Sequence, residues 1–427
     1  MLPINSFSIS SSTVSQCRWE LRRFAKAQRC PEISTIKDAY GFLSSVGAYA
    51  ELPRFFGPCT KSNGQPCHLL DQLDKWNQFL QEVKMELKEL APETLSVAPQ
   101  HKVSEGLEAE YSNADGWILL HWLFMKHRCI ANLQLRNPDR CPQLHLGDAL
   151  YQNSGLKTLT LNYDTSEEEL SVLTSTASIW PKLENLTING LTLSKDTVVV
   201  LEASLKKIPL LKSLEISFSS IGPACDVELL KGAFNRMSAL TSLSLHYVKS
   251  EQYEAGFMLQ CLSPGLSVLS VDDHLLVPQG GAMFQEFLAG NTVLKTLTLR
   301  QNACTGMSEI DNVFKGLLLN RGLEELHISD FGLENPTMEL LAEAVAEHDT
   351  LKVLEVSFFD ECWEMDGTPL AKMLGRNKGL HELIFENGEV ACYGAFADAV
   401  RRNTTLKKLS LNLVQLDDLA EISVYRG

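Results

Sequence analysis

The chain has 427 residues, of which 44% are hydrophobic and 21% charged, a balance that excludes a disordered polymer and exceeds what one ordinary globular core accommodates. Its net charge of −15 is unevenly placed: residues 1–129 hold 14 basic and 14 acidic side chains, residues 130–427 hold 24 and 39. The acidic portion lacks the basic face that nucleic-acid binding needs, and no stretch approaches the roughly 20 apolar residues of a membrane span.

Residues 1–33 read as a loosely ordered lead-in. Ser6 to Ser15 is Ser-rich, and Arg18, Arg22, Arg23, Lys26 and Arg29 follow, but Glu20 and Glu32 interrupt a transit-peptide pattern. No long apolar run follows a basic start, so a secretory signal is not expected. Residues 34–108 read as a helical N-terminal region. Leu69, Leu73, Trp76, Leu80, Val83, Leu87 and Leu90 keep helical spacing across 68–91, between Pro58, Gly64 and Pro66 on one side and Pro92 and Pro99 on the other. Residues 109–129, with the apolar run Trp117 to Phe124, read as a helix that covers the first repeat.

From Ile130 one pattern takes over. Leu-x-x-Leu-x-Leu begins at Ile130, Leu156, Leu183, Leu211, Leu240, Leu266, Leu294, Leu323, Leu351, Leu380 and Leu406, in steps of 26 to 29 residues. Within each copy the alternation, as in Leu297-Thr298-Leu299, is that of a strand with one buried side. Between copies the period changes. Met338, Leu341 and Val345 share one helical face and Glu339, Glu343 and Glu347 another, with Asn335 as the cap and Pro336 in the first turn. The expected fold class is therefore α/β: a right-handed solenoid of about eleven strand-helix units over residues 130–427, with parallel strands on a concave face and helices on the convex one. The last motif ends at Leu411, and Leu416, Leu419 and Ile422 offer one short covering turn. With no polar-faced cap visible, the natural chain is expected to continue past Gly427, or this end to pair with something.

The repeats resemble the leucine-rich repeats of the ribonuclease-inhibitor type, which run roughly 28 to 29 residues. The turns Asn291-Thr292-Val293-Leu294, Asn320-Arg321-Gly322-Leu323, Asn377-Lys378-Gly379-Leu380 and Asn403-Thr404-Thr405-Leu406 are similar to those in the repeat arrays of NOD-like receptors. The resemblance covers residues 109 to 427 and implies a horseshoe that binds proteins without catalysis. One departure stands out. The family's ninth-position Asn or Cys occurs only as Asn302; Leu191, Val248, Phe331, Phe359 and Val414 stand there otherwise, so those turns are expected to be held by packing.

Eleven scattered cysteines, including Cys225, Cys261, Cys304, Cys362 and Cys392 in separate repeats, suggest buried free thiols and a cytoplasmic setting. Cys59 and Cys67-His68 come closest to metal-ligand spacing, with Cys17 and Cys30 upstream, but Cys-x-x-Cys pairs are missing and neither metal nor cofactor is expected. No phosphate-binding Gly-x-x-x-x-Gly-Lys-Ser/Thr loop is present, the position four after His381 is Phe385 instead of His, and no Gly-x-Ser-x-Gly elbow occurs, so no enzyme is expected. His121 and His127 read as satisfied histidines of the capping region.

The third and fifth repeat positions supply the outward strand face. They run from amides and hydroxyls (Asn132, Gln134, Thr158, Thr160) through Ser213, Glu215, Ser242 and Ser244 to an acidic end at Glu325, His327, Glu355 and Glu382, with Arg300 and Glu386 beside it. Tyr163, Phe218, Tyr247 and Phe358 follow the strands as candidate rim anchors. These residues point to a protein partner carrying a basic patch, with neither nucleic acid nor membrane. The first functional class is a recognition scaffold acting as an inhibitor or an immune-type sensor. The alternative is a substrate-recognition subunit of a ubiquitin-ligase complex, which needs an F-box-like module before the array; Leu52-Pro53 is only a fragment of one.

Overall fold

In the computed structural model the described residues are 59–63, 66–80, 84–100, 120, 123–124, 126–136, 153–162, 182–221, 227–247, 262–263, 265–276, 280–301, 309–358, 364–386, 389–391, 393–412 and 421–425. The lead-in 1–33 and most of 101–125 lie outside them. The chain divides into two compact units, residues 1–188 with 203–211, and residues 189–202 with 212–427.

The first unit begins with a short 3₁₀ turn (Thr60–Asn63) and helix α1 (Leu73–Leu80), which buries Trp76 and Leu80 completely. The helix expected across 68–91 stops at Leu80. Lys84 takes a left-handed conformation (φ 54°), and Met85–Ala91 is strand β1, paired antiparallel with β2 (Thr94–Pro99). Leu87 and Leu90 therefore part company: Leu87 is buried and Leu90 is 59% exposed. The amide of Asn77 replaces a missing strand neighbour for β1. Its Oδ1 accepts from Leu87 N at 2.6 Å and its Nδ2 donates to Leu87 O at 3.1 Å. Strand β2 then pairs in parallel with β3 (Ile130–Arg136), and β3 with β4 (Thr158–Asn162). The first motif copy is thus flanked by a hairpin strand. Leu120, Leu123 and Phe124 of the expected covering helix are helical and fully buried.

Strand β5 (Asn185–Leu193) and helix α2 (Lys195–Leu205) each contribute residues to both units. In the second unit, β6 (Ser213–Ile221), β7 (Ser242–Tyr247), β8 (Val268–Asp272), β9 (Thr296–Arg300), β10 (Glu325–Ser329) and β11 (Val353–Ser357) pair in parallel, each with the next. After a short strand β12 (Glu364–Asp366) the ladder continues through β13 (Glu382–Glu386). A second short strand, β14 (Glu389–Ala391), pairs with β12. The ladder then reaches β15 (Lys408–Asn412) and ends on β16 (Glu421–Tyr425). Strand β16 runs antiparallel, so Ile422 sits in a strand opposite Leu411 instead of in a covering turn. Every motif copy from Ile130 to Leu406 thus leads into a strand.

Helices α3 (Val227–Phe234), α4 (Gly280–Gly290), α5 (Ile310–Leu319), α6 (Asn335–Ala346), α7 (Gly367–Arg376) and α8 (Tyr393–Arg402) connect the strands. In α6 the face of Met338, Leu341 and Val345 is buried and Glu339, Glu343 and Glu347 are exposed. Its cap is Glu334, one residue before the expected Asn335, and makes no side-chain hydrogen bond. Asp366 does cap α7, accepting from Thr368 N at 2.8 Å. Leu297, Leu299, Leu326, Ile328, Leu354, Val356, Leu383 and Phe385 point from the strands into the core at 0–1% exposure. Each contributes about 1.5–3 kcal/mol on burial. Leu191 and Phe331, at the ninth repeat position, are buried as packing residues.

In several repeats the turn before the strand is built by one side chain, whereas Ile208 and Met237 fill the same position with buried apolar groups. Asn320 is fully buried; its Oδ1 accepts from Gly322 N and Leu323 N at 2.9 and 2.8 Å. Its Nδ2 donates to Leu288 O and Asn291 O of the preceding repeat at 2.7 and 2.6 Å. Asn377 repeats the arrangement onto Val345 O and His348 O, and Asn403 onto Leu374 O. One amide thus closes its own turn and ties two repeats together. In the first unit Asn153 does the same, accepting from Gly155 N and Leu156 N and donating to His127 O at 3.3 Å. Two histidines occupy the same slot, three residues before the motif: His348 before Leu351, and His127 before Ile130.

Candidate functional site

The outward strand face in the second unit assembles the acidic residues into registered rows. One row runs Thr296, Glu325, Val353, Glu382, Lys408; the next Thr298, His327, Glu355, Ile384, Ser410; the third Arg300, Ser329, Ser357, Glu386, Asn412. The rows exist because parallel pairing in register keeps every outward position of one repeat beside its counterpart in the next. Five strands at about 4.8 Å spacing make this surface roughly 20 Å wide.

Its charges are mostly engaged with one another. His327 Nδ1 lies 2.9 Å from Glu355 Oε2 and its Nε2 3.8 Å from Glu325 Oε2. Glu325 also accepts from Thr296 Oγ1 at 3.3 Å, and Lys408 Nζ lies 3.1 Å from Glu382 Oε2. Lys408 stands at the third position of the last motif copy, so the acidic end carries its own cation. Arg300 and Glu386 are exposed. Four carboxylates stand against two fixed cations, which leaves the face acidic.

The aromatic candidates separate from this face. Phe218 and Phe358 are both 2% exposed, so they fill the core instead of projecting at the rim. The backbone of Tyr247 closes β7 opposite Phe218; its side chain, and all of Tyr163, lie outside the described residues. On the helix side a cleft of about 280 Å³ is lined by Ala371, Leu374, Lys378, Ala399 and Arg402, at the small end of ligand sites.

A second site lies in the first unit. Cys59, Cys67, His127 and Cys129 are all buried, and their four ligand atoms lie within 4.8 Å of one another. Cys67 Sγ is 3.4 Å from His127 Nδ1. The 59–67 loop closes because Thr60 Oγ1 donates to Pro66 O at 2.8 Å and accepts from His68 N at 3.2 Å. Cys59 N donates to Lys126 O at 3.2 Å, His127 N to Leu123 O at 2.8 Å, and Leu95 N to Cys129 O at 3.0 Å. Hydrogen bonds from Cys129 and then Cys67 hold Cys59 well below the ordinary thiol range. The reciprocal bond to Cys59 drives Cys129 far up. Cys67 is pulled down by Cys129 but raised overall by Cys59 and by burial.

Sequence spacing singled out Cys59 and Cys67 but not His127 or Cys129. His68, adjacent in sequence to Cys67, is not one of the four; its ring packs edge-on against that of His127 at 5.3 Å. The signal for His127 was its place in the asparagine slot.

The motif copies, their in-register strands and the intervening helices make this a leucine-rich-repeat array. No protein-family model matches the chain, and no curated protein matches it. Among solved structures, the leucine-rich repeat-containing protein LegL7 from Legionella pneumophila is similar at 16% identity and a TM-score of 0.41, over 64% of this chain and 89% of that one. A chain of the Rad7 and Elc1 complex in yeast is similar at 17% identity and a TM-score of 0.37, over 94% and 98%. Among the described residues no helix is long and apolar enough to cross a membrane.

Proposed function

We propose that the protein is a non-enzymatic recognition scaffold that binds a protein partner on the outward face of strands β9, β10, β11, β13 and β15. The observation that carries this reading is the set of registered rows: adjacent, mostly polar side chains on the outward face of in-register strands. Excess carboxylate favours a partner with a basic patch through long-range attraction. Arg300, Glu325, His327, Glu355, Glu382 and Glu386 form the contact surface, and the buried Phe218 and Phe358 drop out of it. The ribonuclease-inhibitor type of array, and a role as inhibitor or sensor, rest on the Asn-x-x-Leu turns and on this face together.

The test is affinity capture with the full chain, followed by quantitative binding of the partner recovered. Glu325→Lys, Glu355→Lys and Glu382→Lys combined should weaken binding at least about tenfold, more at low salt than at high. A charge-matched triple change on the helix side, Glu334→Lys, Glu339→Lys and Glu343→Lys, should leave binding nearly unchanged. Equal losses in both variants would place recognition elsewhere.

A further inference from the structure

We propose that Cys59, Cys67, His127 and Cys129 bind one zinc ion that ties the segment before the repeats to the first repeat turn. Tetrahedral zinc, with bonds of about 2.3 Å to thiolate and about 2.0–2.1 Å to imidazole, places its ligand atoms roughly 3.6–3.8 Å apart. The four atoms here already lie within 4.8 Å, and the Cys67–His127 pair within 3.4 Å, so closure onto a metal requires only small side-chain shifts. Thiolate and imidazole ligands select zinc over the hard cations magnesium and calcium. Four protein ligands, all buried, leave no position open to water, so the ion is structural. The backbone is set before the metal arrives, since hydrogen bonds close the 59–67 loop and join Cys59 to Lys126 and Cys129 to Leu95.

The position of His127 says what the ion is for. In three later repeats the same slot holds an asparagine, Asn320, Asn377 or Asn403, whose Nδ2 reaches carbonyls of the repeat before it. The first motif copy has no earlier copy to reach. Its slot holds instead an imidazole turned toward two cysteines some 60 residues upstream in the chain. Metal ligation thereby replaces the amide link at the start of the array.

Elemental analysis of the full-length protein, produced under reducing conditions, tests this directly. About one zinc per chain is expected, as for a closed structural site. Cys59→Ser, Cys67→Ser and Cys129→Ser should each lose most of it, and Cys392→Ser should retain it. His127→Asn is the informative variant, because it installs the residue that stands in this slot at Asn153, Asn320, Asn377 and Asn403, and so should fold while losing zinc. Should the serine variants fail to fold, thiol modification of the wild type must release zinc stoichiometrically. A wild-type chain without zinc, a disulfide among the three cysteines, iron in place of zinc, or undiminished zinc in His127→Asn would each overturn the proposal.

Discussion

The turn at residues 127–130 and the turn at 320–323 solve one problem with different chemistry. Each must close before its strand and hold on to what precedes it. At 320 an amide suffices, because it has two acceptor positions for its own turn and two donors for the preceding repeat. At 127 the preceding segment is a loop with two inward thiols, and an imidazole meets them. A repeat interior can rely on self-similarity, whereas the start of an array must be joined to a chain unlike itself, and the residue in the shared slot records the difference.

Metal removal sharpens this contrast most. Apparent zinc-binding energies of structural sites run roughly 10–16 kcal/mol, so chelation should remove amide-exchange protection from residues 59–100 and 127–136. Protection across β10 to β13 should persist. Uniform loss, or none, would show that the two turns are not held differently.

Asn320→Ala comes next. It strands Leu288 O, Asn291 O, Gly322 N and Leu323 N in a buried turn, and the loss should reach about 3–4 kcal/mol in chemical denaturation. A cost under about 1 kcal/mol would mean that packing, not the amide, holds the repeats together.

His348 provides an internal control, since it fills the asparagine slot far along the chain from the cysteine cluster. Its Nδ1 accepts from Leu351 N at 3.2 Å. Burial, with the Arg321 charge nearby, lowers its pKa to about 4. Because the unfolded chain takes up this proton first, the stability tied to neutral His348 is full above about pH 6.5. It is lost as pH falls toward 4, to a limit of about 3 kcal/mol. His348→Asn should flatten the pH dependence of unfolding over that window. An unchanged profile would assign it to other groups.

Much of this was legible in the sequence. Period-two leucines mark all the repeat strands because a strand with one buried side can hide only alternate residues. The four Asn-x-x-Leu turns were visible as motifs, though the second role of Asn320, Asn377 and Asn403, donation to the preceding repeat, is a long-range contact that no local pattern encodes. The stretch 84–91 misled. Leu87 and Leu90 fit a helical period, but the left-handed Lys84 and the amide of Asn77 turn it into a strand. The cysteine-histidine cluster was half hidden, since its ligands come from two segments some 60 residues apart and lack the short paired spacing that marks most zinc sites. Phe218 and Phe358 misled for a related reason: a position just past a strand does not reveal whether its side chain turns in or out.

Smaller effects follow from helix packing. A Cβ on Gly316 would stand 2.9 Å from Gln285 O and 3.0 Å from Gln285 Cα, so the α4 and α5 backbones approach more closely than any side chain permits. Gly316→Ala should cost about 1–2 kcal/mol despite alanine's better helix propensity. A stabilised variant would show that the two helices separate freely.

The smallest effect is expected on the strand face, and its smallness matters. Lys408 and Glu382 are each more than a third exposed, and pairs of this kind contribute about 0–1 kcal/mol once solvent screening and side-chain entropy are counted. Lys408→Met should therefore lower stability by less than about 0.5 kcal/mol, while leaving Glu382 unpaired and the face more acidic. A double-mutant cycle with Glu382→Gln separates the two roles. Coupling well above about 1 kcal/mol would make the pair part of the fold. Weak coupling leaves the outward rows almost free of structural duty, because the buried leucines and turn amides already hold the strands in place. Side chains under so little structural constraint are free to serve the recognition role proposed for this face, while the turns of the same array stay fixed.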